Sequence, residues 1–171
     1  MKPEDIIVGM QLGAEEIFAA ANKLGEIYAG SLEQDDLAEA SQWAIPPGSH
    51  DGPFRWSEVA RQYGSFNSHH LLGMHYEQQL FAAMHLHTAG RVIDLKLLAS
   101  NYAATAPWRG LAIPSVFTGV KHIAWGLQTE VELQFWVSEP VDKLIPHYRA
   151  QALSARMTYL GYENNVLKFK T

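Results

Sequence analysis

The sequence predicts a single α/β domain. Three observations carry that expectation. The stretch Arg91 to Trp125 reads as strand, turn and helix in succession. Two amphipathic helical patterns stand before it, and alternating strand patterns follow it. Segments of period 2 interleaved with segments of period 3.6 are what place helices against a sheet. At 171 residues the chain suits one domain, large enough for a real core.

Taken in order, residues 4–28 carry Ile6, Ile7, Met10, Ile17, Phe18, Ala21, Leu24 and Tyr28 at helical spacing. Pro3 before that run and Gly30 after it match the usual helix ends. Ser31-Leu32-Glu33-Gln34 reads as a capping box that opens a second helix to about Ala44, with Leu32, Leu37, Ala40 and Trp43 inward. Ile45 to Arg55 reads as a surface or binding loop, from the turn residues Pro46-Pro47-Gly48 and Asp51-Gly52-Pro53. Trp56 to Tyr63 predicts a short helix stopped by Gly64. Phe66 to Gly73 is ambiguous, and Met74 to Thr88 fits either period. As a helix, Tyr76, Leu80, Ala83, Met84 and His87 share a face; as a strand, Leu80, Ala82, Met84 and Leu86 alternate with Phe81, Ala83, His85 and His87.

Val92, Leu95, Leu97 and Leu98, broken by Asp94 and Lys96, suit a largely buried strand. Pro107 to Pro114 is the turn, and Val116, Phe117, Val120, Ile123 and Ala124 form one stripe of the helix after it. Gln128 to Val137 reads as a strand with Glu130, Glu132 and Gln134 on one face and Val131, Leu133 and Phe135 on the other. A helix from about Val141 to Tyr159 is expected next, kinked or divided by Pro146 and closed by Gly161. Val166 to Phe169 reads as a last strand.

Composition narrows the function classes. Apolar residues make up 47% and charged residues 18%, which is a globular balance. A net charge of −5 argues against a nucleic-acid surface covering the whole domain, so no nucleic-acid partner is expected. Without cysteine there is no disulfide, thiolate nucleophile or zinc–thiolate site. The opening MKPEDIIVGM puts acids before the first apolar run, unlike a secretory signal. No stretch nears the roughly 18 apolar residues a membrane span needs. A cytoplasmic protein with no membrane partner is the expectation.

Several residue sets could carry chemistry. A tight turn feeding a helix, as at Pro107 to Ser115, presents unpaired amides and the positive end of the helix dipole, a geometry that binds phosphate. Eight histidines raise a metal site. His85 and His87 share one strand face, and His69, His70 and His75 lie near in sequence, but a third ligand such as Asp94 or His122 would have to converge. No HExxH spacing occurs, and no metal is expected. No G-x-S-x-G turn occurs either, which argues against a serine hydrolase. Trp43, Phe54, Trp56, Tyr63 and Phe66 gather around the long loop, either lining an acceptor pocket or partner interface or capping the core beneath it.

The run Trp108 to Gly126, WRGLAIPSVFTGVKHIAWG, resembles the coenzyme A loop of the GCN5-related N-acetyltransferases, the GNAT family. That loop usually reads Arg/Gln-x-x-Gly-x-Gly/Ala and opens a long helix. Arg109 and Gly110 fit; Ala112 stands where the family usually has Gly, and Pro114 where it has Gly or Ala. Arg156 to Glu163 resembles the family's Tyr-x-x-Leu-Gly-Phe-Glu ending, with Met157 in place of the Tyr that protonates the departing thiolate. The likeness covers roughly Leu71 to Lys170. It implies a mixed twisted sheet flanked by helices over residues 1–171, with two strands around a turn near Glu77 to Gln79. The family's strand before the first helix is missing here or reduced to Met1-Lys2.

The resemblance further implies transfer of an acetyl group from acetyl-CoA to an amine on a small molecule or protein. Arg109, Gly110, Leu111, Ala112, Ile113 and Ser115 would hold the pyrophosphate. The strand amides of Leu97, Leu98 and Ala99 would hold the pantetheine arm. Asp94 and His87, with His85 beside them, are the expected bases, since the attacking amine must lose a proton. Met157 cannot donate one, so Tyr159 is the expected acid, with Tyr148 and Tyr162 as other donors. The alternative is a protein that kept the fold and lost the chemistry. It would be a structural or adaptor component binding a protein partner, like the GNAT-like proteins among bacteriophage virion and tail genes, and would then reside in the virion.

Overall fold

Seven strands form one mixed sheet in the order β1-β2-β3-β4-β5-β7-β6. The computed structural model describes residues 1–43, 54–102, 105–127 and 132–171. Along the chain these give α1 (Pro3–Ala20), β1 (Ile27–Ser31), α2 (Gln34–Ala40), α3 (Trp56–Tyr63), β2 (His69–Tyr76), β3 (Gln79–Ala89) and β4 (Val92–Ser100). Then come α4 (Ala112–Gly126), β5 (Gln134–Ser138), a 3-10 turn at Asp142–Leu144, α5 (Ile145–Ser154), β6 (Thr158–Glu163) and β7 (Val166–Lys170). Strands β1 to β4 pair antiparallel, β4 and β5 pair parallel, and β7 lies antiparallel between β5 and β6.

The parallel pair sets the architecture. Parallel neighbours need a crossover, and α4 supplies it between β4 and β5. The inner stripe of α4, Val116, Phe117, Val120 and Ile123, is buried with Ile6, Met10, Ala14 and Phe18 of α1. Both stripes meet Met84, Leu86, Ile93, Leu95, Phe135, Leu167 and Phe169 on one sheet face, where Tyr148 and Ala152 of α5 also pack. The other face holds a smaller core of Ala40, Trp56, Leu80 and Ala83, with Leu32, Leu37, Trp43 and Phe54 against it. Leu37 and Ala40 of α2 thus pack inward as the sequence suggested, and Trp56 of α3 takes the core-capping place, one of the two the sequence left open.

Helices α1 and α4 cross at glycine. A Cβ on Gly13 would lie 2.2 Å from the Gly119 nitrogen and 2.5 Å from its Cα. Only a bare backbone permits that approach.

Three sequence expectations about the helices are corrected. The first helix ends at Ala20, not near Tyr28. Asn22 takes a left-handed conformation (φ 55°), and the Lys23 amide donates to Phe18 O at 2.8 Å, which closes the helix as a Schellman motif. Leu24 is therefore 93% exposed, and Tyr28 lies in a strand. Among the described residues no strand precedes α1, as the sequence suggested, and β1, which follows α1, forms the sheet edge. The second helix starts after Glu33, whose amide donates to Asp36 Oδ2 at 3.0 Å; the box is Glu33–Asp36, not Ser31–Gln34. The helix expected over Val141 to Tyr159 stops at Ser154, and Pro146 opens α5 without bending it. Arg156 is left-handed (φ 59°) there, and the Met157 amide donates to Ala152 O at 2.8 Å. Tyr159 and Gly161 accordingly lie in β6.

Other expectations match. The segment Met74 to Thr88 forms two strands, turning through Glu77 and Gln78, both at positive φ as a tight hairpin requires. Helix α3 spans Trp56–Tyr63. The expected loop over residues 45–53 and residues 128–131 lie outside the described residues, and the strand expected from Gln128 begins only at Gln134, after Glu132 and Leu133. Among the described residues no helix is long and apolar enough to cross a membrane.

Candidate active site

Strands β4 and β5 pair only from Val92–Gln134 to Leu95–Val137. Beyond that point β4 continues to Ser100 while β5 ends at Ser138 and turns through Glu139-Pro140. A β-bulge marks the parting: His85 faces Leu97 and Leu86 faces Leu95, which leaves Lys96 without a partner on β3. Among the described residues, no strand pairs with the β5-facing edge of Leu97, Leu98 and Ala99. A cavity of about 360 Å³ fills the gap, walled by Leu95 to Leu98 and Val137 to Val141, with Phe54 and Tyr148 closing it. Ligands of open parallel sheets bind at this place, outside the carboxyl ends of the strands.

The N-terminus of α4 lies at the same end of the sheet, because the loop after β4 is tied back to it. Trp108 is buried, stacks on Phe81 and donates its indole N–H to Asn101 O at 2.9 Å. The Arg109 amide donates to Ala106 O and the Leu111 amide to Trp108 O. Gly110 between them has φ +77°, a turn conformation that suits glycine. Leu111 provides no side-chain cap. Among the described residues, the amides of Gly110, Ala112 and Ile113 donate to no backbone carbonyl. They stand at the positive end of a 15-residue helix and suit an anion.

Within this loop the expected residues separate. The Arg109 side chain is exposed and lies on Tyr102, 5.4 Å above the ring and 3.5 Å from its hydroxyl. Ala112 turns its methyl into the main core, away from the turn. The Ser115 amide donates to Leu111 O at 3.0 Å, and its hydroxyl is fully buried without a partner. Pro114 occupies the third helical position and subtracts one donor from the first turn.

Across the mouth of the cleft runs a polar clasp. Ser138 of β5 donates to Asp94 Oδ1 at 2.7 Å, and the Lys96 ammonium pairs with Asp94 Oδ2 and reaches Ser138 Oγ at 3.2 Å. Asp94 is 5% exposed with both oxygens engaged. Both oxygens of this expected base are thus taken up by Ser138 and Lys96. His87 sits directly opposite Asp94 on β3 and opposite His69 on β2, and remains half-buried.

His85 is the more deeply placed imidazole. Its Nε2 lies 2.8 Å from His69 Nδ1. Burial, then the positive charge of His69, Lys96 and His87, pushes its pKa down to about 4 against a weaker opposing pull from Asp94. Burial, His87 and Lys96 also lower that of His69. Among the described residues no three His, Asp or Glu side chains converge to hold a metal. Tyr63 stacks on His69, and Phe66 lies beside it.

Of the tyrosines, Tyr148 lines the cleft, and burial pushes its pKa up, which keeps the phenol protonated. Tyr159 lies elsewhere, against Phe169 and under Arg149, in a separate groove between α5 and β6. Tyr162 donates to Asn165 at 2.6 Å on the surface hairpin. Lys96 and Ser138 were not legible as site residues, because only the parting of β4 from β5 gives them their place.

No protein-family model and no curated protein matches the chain. Solved structures do match. An N-acetyltransferase, PseH, from Campylobacter jejuni superposes with a TM-score of 0.55 at 8% identity, over 85% of this chain and 96% of that one. A spermidine N-acetyltransferase chimera drawing on Vibrio cholerae gives 0.57 at 10% identity, over 84% and 94%. The PaiA N-acetyltransferase of Thermoplasma acidophilum, solved in complex with coenzyme A, gives 0.53 at 13% identity, over 85% and 98%. The fold of the chain is that of the GNAT acetyltransferases: a seven-stranded mixed sheet flanked by helices.

Proposed function

We propose that the chain is a divergent GNAT enzyme that transfers an acetyl group from acetyl-CoA to an amine on a small molecule or protein. The observation that carries this reading is the parting of β4 from β5 beside the open N-terminus of α4. The likeness to a structure solved with coenzyme A supports it. On this reading the free amides of Gly110, Ala112 and Ile113 take the pyrophosphate, with Arg109 beside them. The open backbone of Leu97, Leu98 and Ala99 bonds the pantetheine amides as a missing strand would. The apolar walls, Leu95, Leu97, Val137 and Val141, exclude water from the thioester. Catalysis is then mostly the positioning of amine against carbonyl.

Tyr148 takes the role of proton donor to the departing thiolate, in place of Tyr159. A buried neutral phenol at the cleft can give a proton as negative charge grows on sulfur. Asp94 serves to fix Lys96 and Ser138 across the cleft rather than to accept a proton.

Isothermal titration calorimetry tests the reading. The wild type should bind acetyl-CoA at micromolar concentration, and Arg109→Glu should weaken binding by about 10-fold or more, as expected for reversing a charge beside a phosphate. No binding at millimolar acetyl-CoA would overturn it. A scaffold or adaptor reading would then be favoured, since Pro114 removes one cradle donor and both Asp94 oxygens are already engaged.

A further inference from the structure

We propose that His85 and His69 form a two-imidazole relay that takes the proton lost by the acceptor amine and delivers it to solvent. The inference rests on the acyltransferase reading of the same cleft. His85 stands opposite Leu97, and Leu97 and Lys96 wall the cleft. It is only 2% exposed, so a proton it accepts has no direct exit to bulk water. The 2.8 Å contact from its Nε2 to His69 Nδ1 supplies the exit. His69, on the outer side, is half-buried between Tyr63 and Phe66. Imidazole can accept at one nitrogen while donating at the other, which is what a relay requires.

The surroundings favour hand-over above metal binding. The ring centroid of His69 lies 5.0 Å from that of His85 and 4.6 Å from that of His87, with the planes tilted by 32° and 35°. The groups facing the pair are Tyr63 of α3, His87 of β3, and Asp94 and Lys96 of β4. Burial and this cationic company lower the pKa of both rings, which leaves them neutral at pH 7.

The step balances as follows. The amine nitrogen bonds the acyl carbon, the C–S bond breaks, and sulfur takes its proton from Tyr148, which recovers one from water. The excess proton on the new amide nitrogen passes to His85 Nδ1. His85 releases its Nε2 proton to His69 Nδ1, and His69 releases its Nε2 proton to water.

The test uses the full chain with acetyl-CoA and ethanolamine at high concentration as the amine probe. His85→Gln should lower kcat about 100-fold with little change in the KM for acetyl-CoA. His69→Gln, at the more exposed site, should lower kcat less. It should also turn a curved proton inventory in mixed H2O/D2O into a straight one, a change that a packing role would not produce. Nitrogen-15 spectra of the wild type should show Nε2–H on His85 and a bare Nδ1 on His69. Overturning results are acetyl transfer within about twofold of wild type in His85→Gln, or the opposite tautomers. Acetyl-CoA binding by the wild type without transfer to ethanolamine would also sink the relay. Failure of the wild type to bind acetyl-CoA would instead remove the acyltransferase reading, and the relay with it.

Discussion

Single residues decide which chemistry the cleft can perform. Replacement of Tyr148 by Phe removes only the hydroxyl, and the ring still stacks on Phe117. We predict a loss of about 100-fold in kcat, near-wild-type binding of acetyl-CoA and little change in melting temperature. Tyr159→Phe should leave kcat within about twofold, as its ring lies outside the cleft. The clasp offers a stability test. Lys96→Met leaves buried Asp94 with Ser138 alone, and we predict a loss of about 2 kcal/mol in denaturant unfolding. Asp94→Asn with Lys96→Met should recover part of it. Asp94 and His87 are brought opposite one another by the pairing of β4 with β3, which the ambiguous pattern of Met74 to Thr88 did not fix. The sequence put Tyr159 at a helix end and the structure puts it in β6, because the left-handed turn at Arg156 carries no glycine to announce it. Nothing local marks Tyr148 either: its position in the cleft depends on how α5 docks.

At the scale of elements, helices α1 and α4 meet backbone to backbone at Gly13 and Gly119. We predict that Gly13→Ala destabilises the fold by about 3 kcal/mol, since its methyl would meet the Gly119 backbone, which cannot yield as a side chain can. Gly126→Ala at the end of α4 meets nothing within 4 Å and should be neutral or slightly stabilising. Paired urea denaturation curves read both effects directly. Elements bounded by turn residues were legible: Gly64 after α3, and the apolar stripe of α4. Asn22 was an available stop signal for α1, yet Leu24 and Tyr28 happen to extend the helical spacing past it. Hairpin register and the Lys96 bulge arise from pairing between distant segments, so no local pattern could give them.

The whole molecule should show the histidine cluster in its acid stability. His85 is neutral in the folded chain down to about pH 4, whereas in the unfolded chain it protonates near its ordinary value of 6.5. Between those values the unfolded state binds more protons. Stability is therefore unaffected above about pH 6.5 and falls as the pH drops toward 4, by on the order of 2 kcal/mol. His85→Gln should flatten that fall in urea unfolding measured from pH 7 to pH 4.5. The central claim, however, concerns where acetyl-CoA binds, and amide NMR of the wild type titrated with it addresses that most directly. The account predicts that the largest shifts fall on Leu97, Leu98, Ala99, Gly110, Ala112 and Ile113, with the edge strands β1 and β6 unmoved. Shifts confined to the groove between α5 and β6, or none at millimolar acetyl-CoA, would contradict it.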